Sequence, residues 1–187
     1  MGQRLVVSLM EGNNILAVIY YHWSAYFAST IGECAQISKE ILKAEKNGKD
    51  ILTAVLDMLE RTGGGIGVNQ ENLEEAAKRF PGREFRKDIS RNDGLMYLGK
   101  DEIQKTLDMA EGTAEIDISA KFVYNDVWYS DYFEFERVDG GCMLNGEFID
   151  INPYEMTMEE CIRLYERIDQ IYSKILSNNR TKKGEEK

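Results

Sequence analysis

One histidine, three scattered cysteines, no long apolar run and a shortage of basic residues set the first limits on this 187-residue chain. His22 alone cannot build a His-rich metal site, and Cys34, Cys142 and Cys161 form no CxxC pair. A zinc site is therefore not expected, nor any other metal or cofactor. The cysteines are odd in number and far apart, and Cys34 and Cys161 fall on the apolar faces of predicted helices. They read as small core residues in a reducing compartment. No stretch reaches the roughly 18 to 20 apolar residues of a membrane-spanning helix. Met1-Gly2-Gln3-Arg4 leads into a strand-like segment with no signal-peptide core, and Val6 stands where N-myristoylation prefers Ser or Thr. The expectation is a cytoplasmic protein without a membrane partner.

Basic residues number 23 against 33 acidic ones, for a net charge of −10. Nucleic-acid binding by phosphate neutralisation needs the opposite balance and is excluded as an expectation. Acidity keeps a chain soluble and also suits a basic surface on another protein. Familiar catalytic patterns are missing as well. There is no Gly-x-Ser-x-Gly. The run Thr62-Gly63-Gly64-Gly65-Ile66-Gly67 lacks the Lys-Ser/Thr of a phosphate loop and follows a helix, so it reads as a hinge or loop. Cys34 and His22 have no third group to orient a nucleophilic pair.

What is present is globular: 43% hydrophobic and 30% charged residues, enough for one domain with a real core. Arg4 to Met10 and Ile15 to Trp23 are strand-like around the turn Glu11-Gly12-Asn13-Asn14, which predicts an opening β-hairpin. The second strand is apolar on both faces and so belongs inside its sheet. Ser24 is placed to cap a long helix over about Ala25 to Glu45, with Phe27, Ile31, Cys34, Ala35, Ile41 and Leu42 on its apolar face and Glu33, Lys39, Glu40 and Lys43 on its polar one. Asp50 caps a second helix, Ile51 to Arg61. A third starts at Asn69 or Asn72 and ends near Phe80, before Pro81-Gly82. Leu95 to Leu98 is a short strand. A short helix from Lys100-Asp101 carries Ile103, Leu107 and Ala110 and ends by Gly112. Ala114 to Val123 alternates cleanly and reads as one half-buried strand. After the turn at Asn125-Asp126 comes Val127 to Val138, with Trp128, Tyr129, Tyr132, Phe133 and Phe135. Gly140-Gly141 and Asn145-Gly146 then signal two hairpins, and Glu147 to Ile151 is a further strand. Thr157-Met158-Glu159-Glu160 is a capping box opening a helix whose apolar stripe runs from Met158 to Leu176. The prediction is a single α+β domain over residues 1–177, an antiparallel sheet packed mainly on one face by the N-terminal and C-terminal long helices, with a flexible polar tail at 178–187.

The candidate site is the aromatic corner Tyr20-Tyr21-His22-Trp23-Ser24-Ala25-Tyr26, where strand hands over to helix. Strand alternation sends Tyr21 and Trp23 one way and Tyr20 and His22 the other. These rings either wall a pocket for a planar ligand or seal the helix–sheet joint. A basic cluster, Arg83, Arg86, Lys87 and Arg91, is the natural complement, since arginine forks bind phosphate or carboxylate. Alternatively these arginines pair with surface acids. The expected ligand-binding set is Tyr20, Tyr21, His22, Trp23, Tyr26, Arg83, Arg86 and Arg91, with no catalytic residue. Glu134 and Glu136, with Asp126 and Asp131 nearby, are the carboxylates a hydrolase would use, but period-two acids also make an ordinary solvated strand face.

The pattern Gly2-Gln3-Arg4-Leu5 with Tyr20-Tyr21-His22-Trp23-Ser24-Ala25-Tyr26, and later Arg91-Asn92-Asp93-Gly94-Leu95, Glu111-Gly112 and Glu115-Ile116-Asp117, resembles a family of proteins encoded in phages and prophages of Gram-positive bacteria. The matching segments are scattered over roughly the first two-thirds of the chain and carry over no catalytic residues. The resemblance implies an accessory protein acting inside a bacterial host, where such proteins bind a host factor or block a defence system. The resulting expectation is a non-catalytic binding protein. It would either sequester a small anionic, nucleotide-like signalling molecule or inhibit a bacterial host protein. A metal-dependent hydrolase using surface carboxylates is the alternative. Self-association through the apolar helix stripe or a sheet edge is compatible with the pattern.

Overall fold

The computed structural model describes residues 3–68, 70–86, 94–127 and 134–185, with the backbone alone at 70, 71 and 176–185. The predicted hairpin opens the chain. Strands β1 (Leu5–Glu11) and β2 (Asn14–Tyr21) pair antiparallel, with Leu5 opposite Tyr21 and Glu11 opposite Asn14. Gly12, at φ 59°, starts the two-residue turn between them. Helices α1 (Phe27–Lys46) and α2 (Ile51–Arg61) follow, then β3 (Gly65–Gly67), α3 (Gln70–Arg79), β4 (Phe85–Arg86), β5 (Leu95–Tyr97) and α4 (Lys100–Asp108). Strands β6 (Gly112–Asp117), β7 (Phe122–Asn125), β8 (Phe135–Val138), β9 (Gly141–Leu144), β10 (Glu147–Ile149) and β11 (Glu155–Thr157) precede the last helix, α5 (Met158–Glu185).

The fold is α+β, as expected, but its main sheet is mixed rather than antiparallel. Eight strands lie in the order β11-β7-β6-β1-β2-β5-β3-β4, and β1–β6, β3–β4 and β3–β5 are parallel pairs. Parallel neighbours need a long crossover, and the helices between β2 and β6 supply the chain for it. A three-stranded meander, β8-β9-β10, stands apart. Its β9–β10 turn uses Asn145 and Gly146, both at positive φ.

The centre of the sheet is buried on both faces. Leu5, Val7, Leu9, Ala17, Ile19 and Tyr21 join the main core with Phe27, Ile31 and Ile41 of α1, Val55 and Leu59 of α2, and Cys161, Leu164 and Ile168 of α5. Val6, Val18 and Tyr20 face the other way, against Ile103 of α4. Cys34, Cys142 and Cys161 are all fully buried, as read from the sequence. Burial pushes the Cys161 thiol up to about 12 and the Cys142 thiol up to about 11, which removes the thiolate that cysteine chemistry requires.

Caps fall where the sequence marks them. The Asp50 carboxylate accepts from the Thr53 N–H at 2.9 Å. The Thr157–Glu160 box is complete: Thr157 N–H donates to Glu160 at 2.8 Å and Glu160 N–H to Thr157 Oγ1 at 3.2 Å. Such a cap is worth about 1 kcal/mol. The backbone of α5 remains helical through residues 178–185, the polar segment expected as a tail.

Two local expectations are corrected. Residues 114–123 do not make one strand. Asp117 accepts from Ser119 N–H (2.9 Å), Ser119 Oγ (2.7 Å) and Ala120 N–H (2.9 Å), and Lys121 takes φ 56°. This Asx-type turn folds β6 back onto β7. The glycine run is not merely a hinge, because Gly65–Gly67 is β3, an inner strand between β5 and β4. Its glycines allow close approach. A Cβ on Gly64 would overlap the carbonyl oxygen of Gly94, and one on Gly67 would overlap the Tyr97 ring. Buried Asn72 then ties this region together. Its amide donates to Gly67 O at 2.8 Å, and its oxygen accepts from Leu98 N–H at 2.9 Å. Residues Asn69, Asn92, Asp93, Trp128, Tyr129, Asp131, Tyr132 and Phe133 lie outside the described residues.

The two roles of the glycine run predict opposite signs. In a hinge, Gly64→Ala would be neutral or slightly stabilising by reducing unfolded-chain entropy. Backbone overlap instead predicts a loss of at least about 2 kcal/mol in urea unfolding. An unchanged urea midpoint would contradict the packing role.

Candidate functional site

Strand β2 ends at Tyr21 and helix α1 begins at Phe27, two residues later than the sequence suggests. The intervening corner is pinned to the first strand by Ala25 N–H donating to Gln3 O at 3.1 Å. Tyr26, extended at φ −119°, occupies the N-cap position without a side-chain cap bond. Ser24 therefore does not cap α1. Its carbonyl accepts from Thr30 Oγ1 at 2.9 Å, and its hydroxyl, almost wholly buried, donates to the Glu33 carboxylate at 3.5 Å.

The aromatic residues of the corner separate onto two sides. Tyr20 is buried on the α4 face, and its hydroxyl pairs with His22 Nδ1 at 2.7 Å. Tyr21 is buried on the opposite face among α1 and α2 side chains. Trp23, 40% exposed, packs edge-on against His22 with centroids 5.3 Å apart. Trp23 thus joins the Tyr20–His22 side, not Tyr21, because strand alternation stops at Tyr21. Tyr26 is half-buried.

The basic loop is largely occupied. Arg83 forks onto Asp57 and Glu60 of α2, the surface-acid pairing that sequence reading kept open. Arg86 donates to the Gly63 carbonyl at 2.6 Å. It lies on edge strand β4, with β3 and β5 between it and β2. Lys87 and Arg91 lie outside the described residues. Glu134 and Glu136 are exposed, and no group of three or more His, Cys, Asp or Glu among the described residues is arranged to hold a metal ion.

A different site stands behind the corner. Between α1 and α5 lies a groove of about 360 Å³, lined from α1 by Ala28, Ser29, Gly32, Glu33 and Gln36 and from α5 by Tyr165, Ile168, Asp169 and Tyr172, with Ser24 at one end. It falls at the small end of the roughly 300–1,000 Å³ typical of ligand pockets. Gly32 lets the Tyr165 ring of α5 approach α1 closely: a Cβ there would stand 3.0 Å from that ring, although glycine within a helix costs about 1 kcal/mol. The groove's inner wall carries its main chemical feature. Burial pushes the Glu33 carboxyl up to about 7, and the neighbouring Tyr21 and Ser24 hydroxyls offset that only in part. The Tyr21 hydroxyl, itself buried, makes no hydrogen bond of normal geometry. Burial raises the Tyr21 phenol well above its ordinary value, and the nearby Glu33 carboxyl adds to that.

Sequence reading assigned Glu33 to a solvated helix face. The available signal was the set of small residues Ala28, Ser29 and Gly32 on that nominal solvent face, which marks close packing by another element. Comparison of the chain with protein families, curated proteins and solved structures finds no match.

The raised Glu33 carboxyl has a definite sign for stability. Below its ordinary value of 4.5 both folded and unfolded chains hold the proton, and the group is neutral to folding. Between 4.5 and about 7 the folded chain keeps a proton that the unfolded chain has released, so stability falls as pH rises. The full cost, up to about 3 kcal/mol, is reached above that window. Glu33→Gln should therefore match the native chain near pH 4.5 and exceed it by up to about 3 kcal/mol at pH 8 in urea unfolding. A difference independent of pH would show that Glu33 is solvated like a surface acid.

Proposed function

We propose that this chain is a non-catalytic binding protein, an accessory factor of the kind phages carry, whose ligand is a small molecule held in the α1–α5 groove. The observation that carries the reading is Glu33. It is a carboxyl on a cavity wall, pushed up to about 7 by burial, with the Ser24 and Tyr21 hydroxyls beside it. Folded proteins seldom retain an ionisable group at such a cost without use, and perturbed groups in clefts are functional candidates. Hydrogen-bonding groups (Ser24, Ser29, Gln36) and apolar wall (Ala28, Ile168, with Tyr165 and Tyr172) converge there, the mixture small-molecule pockets employ.

Binding is favoured over catalysis because, among the described residues, the groove brings together no nucleophile, base and orienting group. Ser24 meets Glu33 only at 3.5 Å, and His22 is engaged with Tyr20 instead. The anionic nucleotide version draws little support from Arg83, which two carboxylates already hold. A second reading, docking of a host protein at the corner, is favoured by Trp23, a large ring 40% exposed in an acidic chain.

A thermal-shift screen tests the groove. The panel should span cationic, neutral and anionic small molecules, cyclic dinucleotides included. A groove ligand at a hundred times its Kd should stabilise the native chain by about 2.7 kcal/mol. Ser29→Trp, an exposed helix position, should fold normally yet abolish that gain by filling the groove. Stabilisation that survives Ser29→Trp, or none from the whole panel, would refute small-molecule binding there. For the corner, Trp23→Ala should weaken capture of a purified partner by tenfold or more, about 1.4 kcal/mol.

A further inference from the structure

We infer that the groove takes a small organic cation, an alkylammonium or guanidinium group on a short apolar or aromatic body. This rests on the groove being a ligand site and adds the charge and shape of what fills it.

The lining is one-sided in charge. Glu33 of α1 and Asp169 of α5 both line it, and no Lys, Arg or His is among the described lining residues. Several described basic residues on the same two helices are engaged elsewhere. Lys39 pairs with Glu166, Arg163 with Glu160, and Arg167 with Glu147 and Gln170. Glu33 itself faces Tyr21 from β2, Ser24 from the corner, the buried Cys34 beside it on α1, and the α5 side chains across the groove; among the described residues no cation contributes to its state. A buried carboxylate without a counterion is strongly destabilised, and a ligand cation would satisfy both the charge and its hydrogen-bonding capacity. Behind it, the Tyr21 hydroxyl is a second buried polar group lacking a normal hydrogen bond. Ordering of the carboxylate by a ligand would give that hydroxyl a fixed acceptor.

The walls suit the rest of such a molecule. Tyr165, Ile168 and Tyr172 recur along one face of α5, presenting two aromatic rings and an aliphatic chain to the groove. Aromatic rings favour cations over anions through their quadrupole. Ser29 and Gln36 add neutral polar contacts that position a head group without repelling it. An anion would meet two carboxylates and no donor cation. A neutral ligand would leave the Glu33 charge uncompensated.

Binding of a cation requires ionised Glu33, so affinity depends on pH. Between pH 6 and pH 8 the ionised fraction of a carboxyl titrating near 7 rises about tenfold, and the affinity should rise with it. The probes are benzylamine, phenylguanidine, the neutral isostere benzyl alcohol and the anion benzoate. Each is titrated by NMR chemical shift into the native chain, Glu33→Gln, Asp169→Asn and Ser29→Trp, after circular dichroism confirms folding. Expected are binding of the two cations, roughly tenfold tighter at pH 8 than at pH 6, a loss of tenfold or more in Glu33→Gln, and a smaller loss in Asp169→Asn. Benzyl alcohol should bind at least tenfold more weakly. If benzyl alcohol or benzoate binds as well as the cations and Ser29→Trp removes it, the groove is a ligand site but the cation inference is overturned. If cation binding survives Ser29→Trp, the groove itself is the wrong place. Failure of both cations to bind by 10 mM, a concentration of order that of the weakest useful fragments, also overturns the inference.

Discussion

The burial of β2 on both faces is the constraint from which the rest follows. A strand inside a sheet sends successive side chains to opposite sides. Tyr20 is thereby committed to the α4 face and Tyr21 to the main core. The corner that follows inherits this division and has only a few residues in which to turn. Its backbone is anchored to Gln3, beside the first strand, so the start of α1 is held relative to the sheet centre. With α1 fixed, the residues facing the sheet become core, and those facing away meet α5. Glu33 lies at the boundary between these two surroundings, close enough to Tyr21 to share its buried environment and far enough round the helix to open into the groove.

Small residues recur wherever two elements come close. Gly32 admits the Tyr165 ring, Gly64 admits the backbone at Gly94, and Gly67 admits Tyr97. A Cβ on Gly94 would in turn press on Leu59 and Tyr21. The glycines therefore act less through flexibility than through the absence of a side chain. This links distant parts of the structure. The approach of β3 to β5 and the position of the Tyr21 ring depend on the same backbone contact, and Tyr21 reaches Glu33. Packing at the sheet's edge is in this way continuous with the groove on its helical side.

Much of the fold is legible from local chemistry. The opening hairpin follows from two apolar runs around Gly12, α2 from the Asp50 cap, the second small hairpin from Asn145-Gly146, and α5 from the Thr157–Glu160 box. Each signal acts over a few residues, and each is satisfied by bonds within that span. What sequence reading misses depends on partners remote in the chain. The parallel pairing of β1 with β6 joins segments a hundred residues apart, and nothing in either strand states its direction. Alternation over 114–123 is the same on either side of the Asp117 turn, so the turn is hidden inside a good strand pattern. The glycine run resembles a loop until β5 supplies its neighbour. The site is harder still. Tyr20 and Tyr21 are correctly split by alternation, yet the groove needs α5 laid across α1, and helix packing leaves only the faint trace of Ala28, Ser29 and Gly32.

Charge gives the groove its character. The chain carries a net −10, and many of its described basic residues form salt bridges at the surface, among them Arg83 with Asp57 and Glu60, Arg61 with Glu40, and Lys121 with Glu45. Pairs of this kind contribute little stability, typically below ~1 kcal/mol, but they remove cations that could otherwise swing toward a neighbouring acid. Among the described residues, Glu33 is left as a partly buried carboxyl with no basic partner. Against a total folding free energy of about 5–15 kcal/mol, an opposing contribution near ~3 kcal/mol is substantial. A solvated position on the same helix would carry the acid at no such cost, and glutamine would fill the same space without it. Below about pH 7 a retained proton relieves that cost; above it, the proposed cationic ligand would do the same. On the proposed reading, the local carboxyl and the net charge of −10 favour the same sign of ligand.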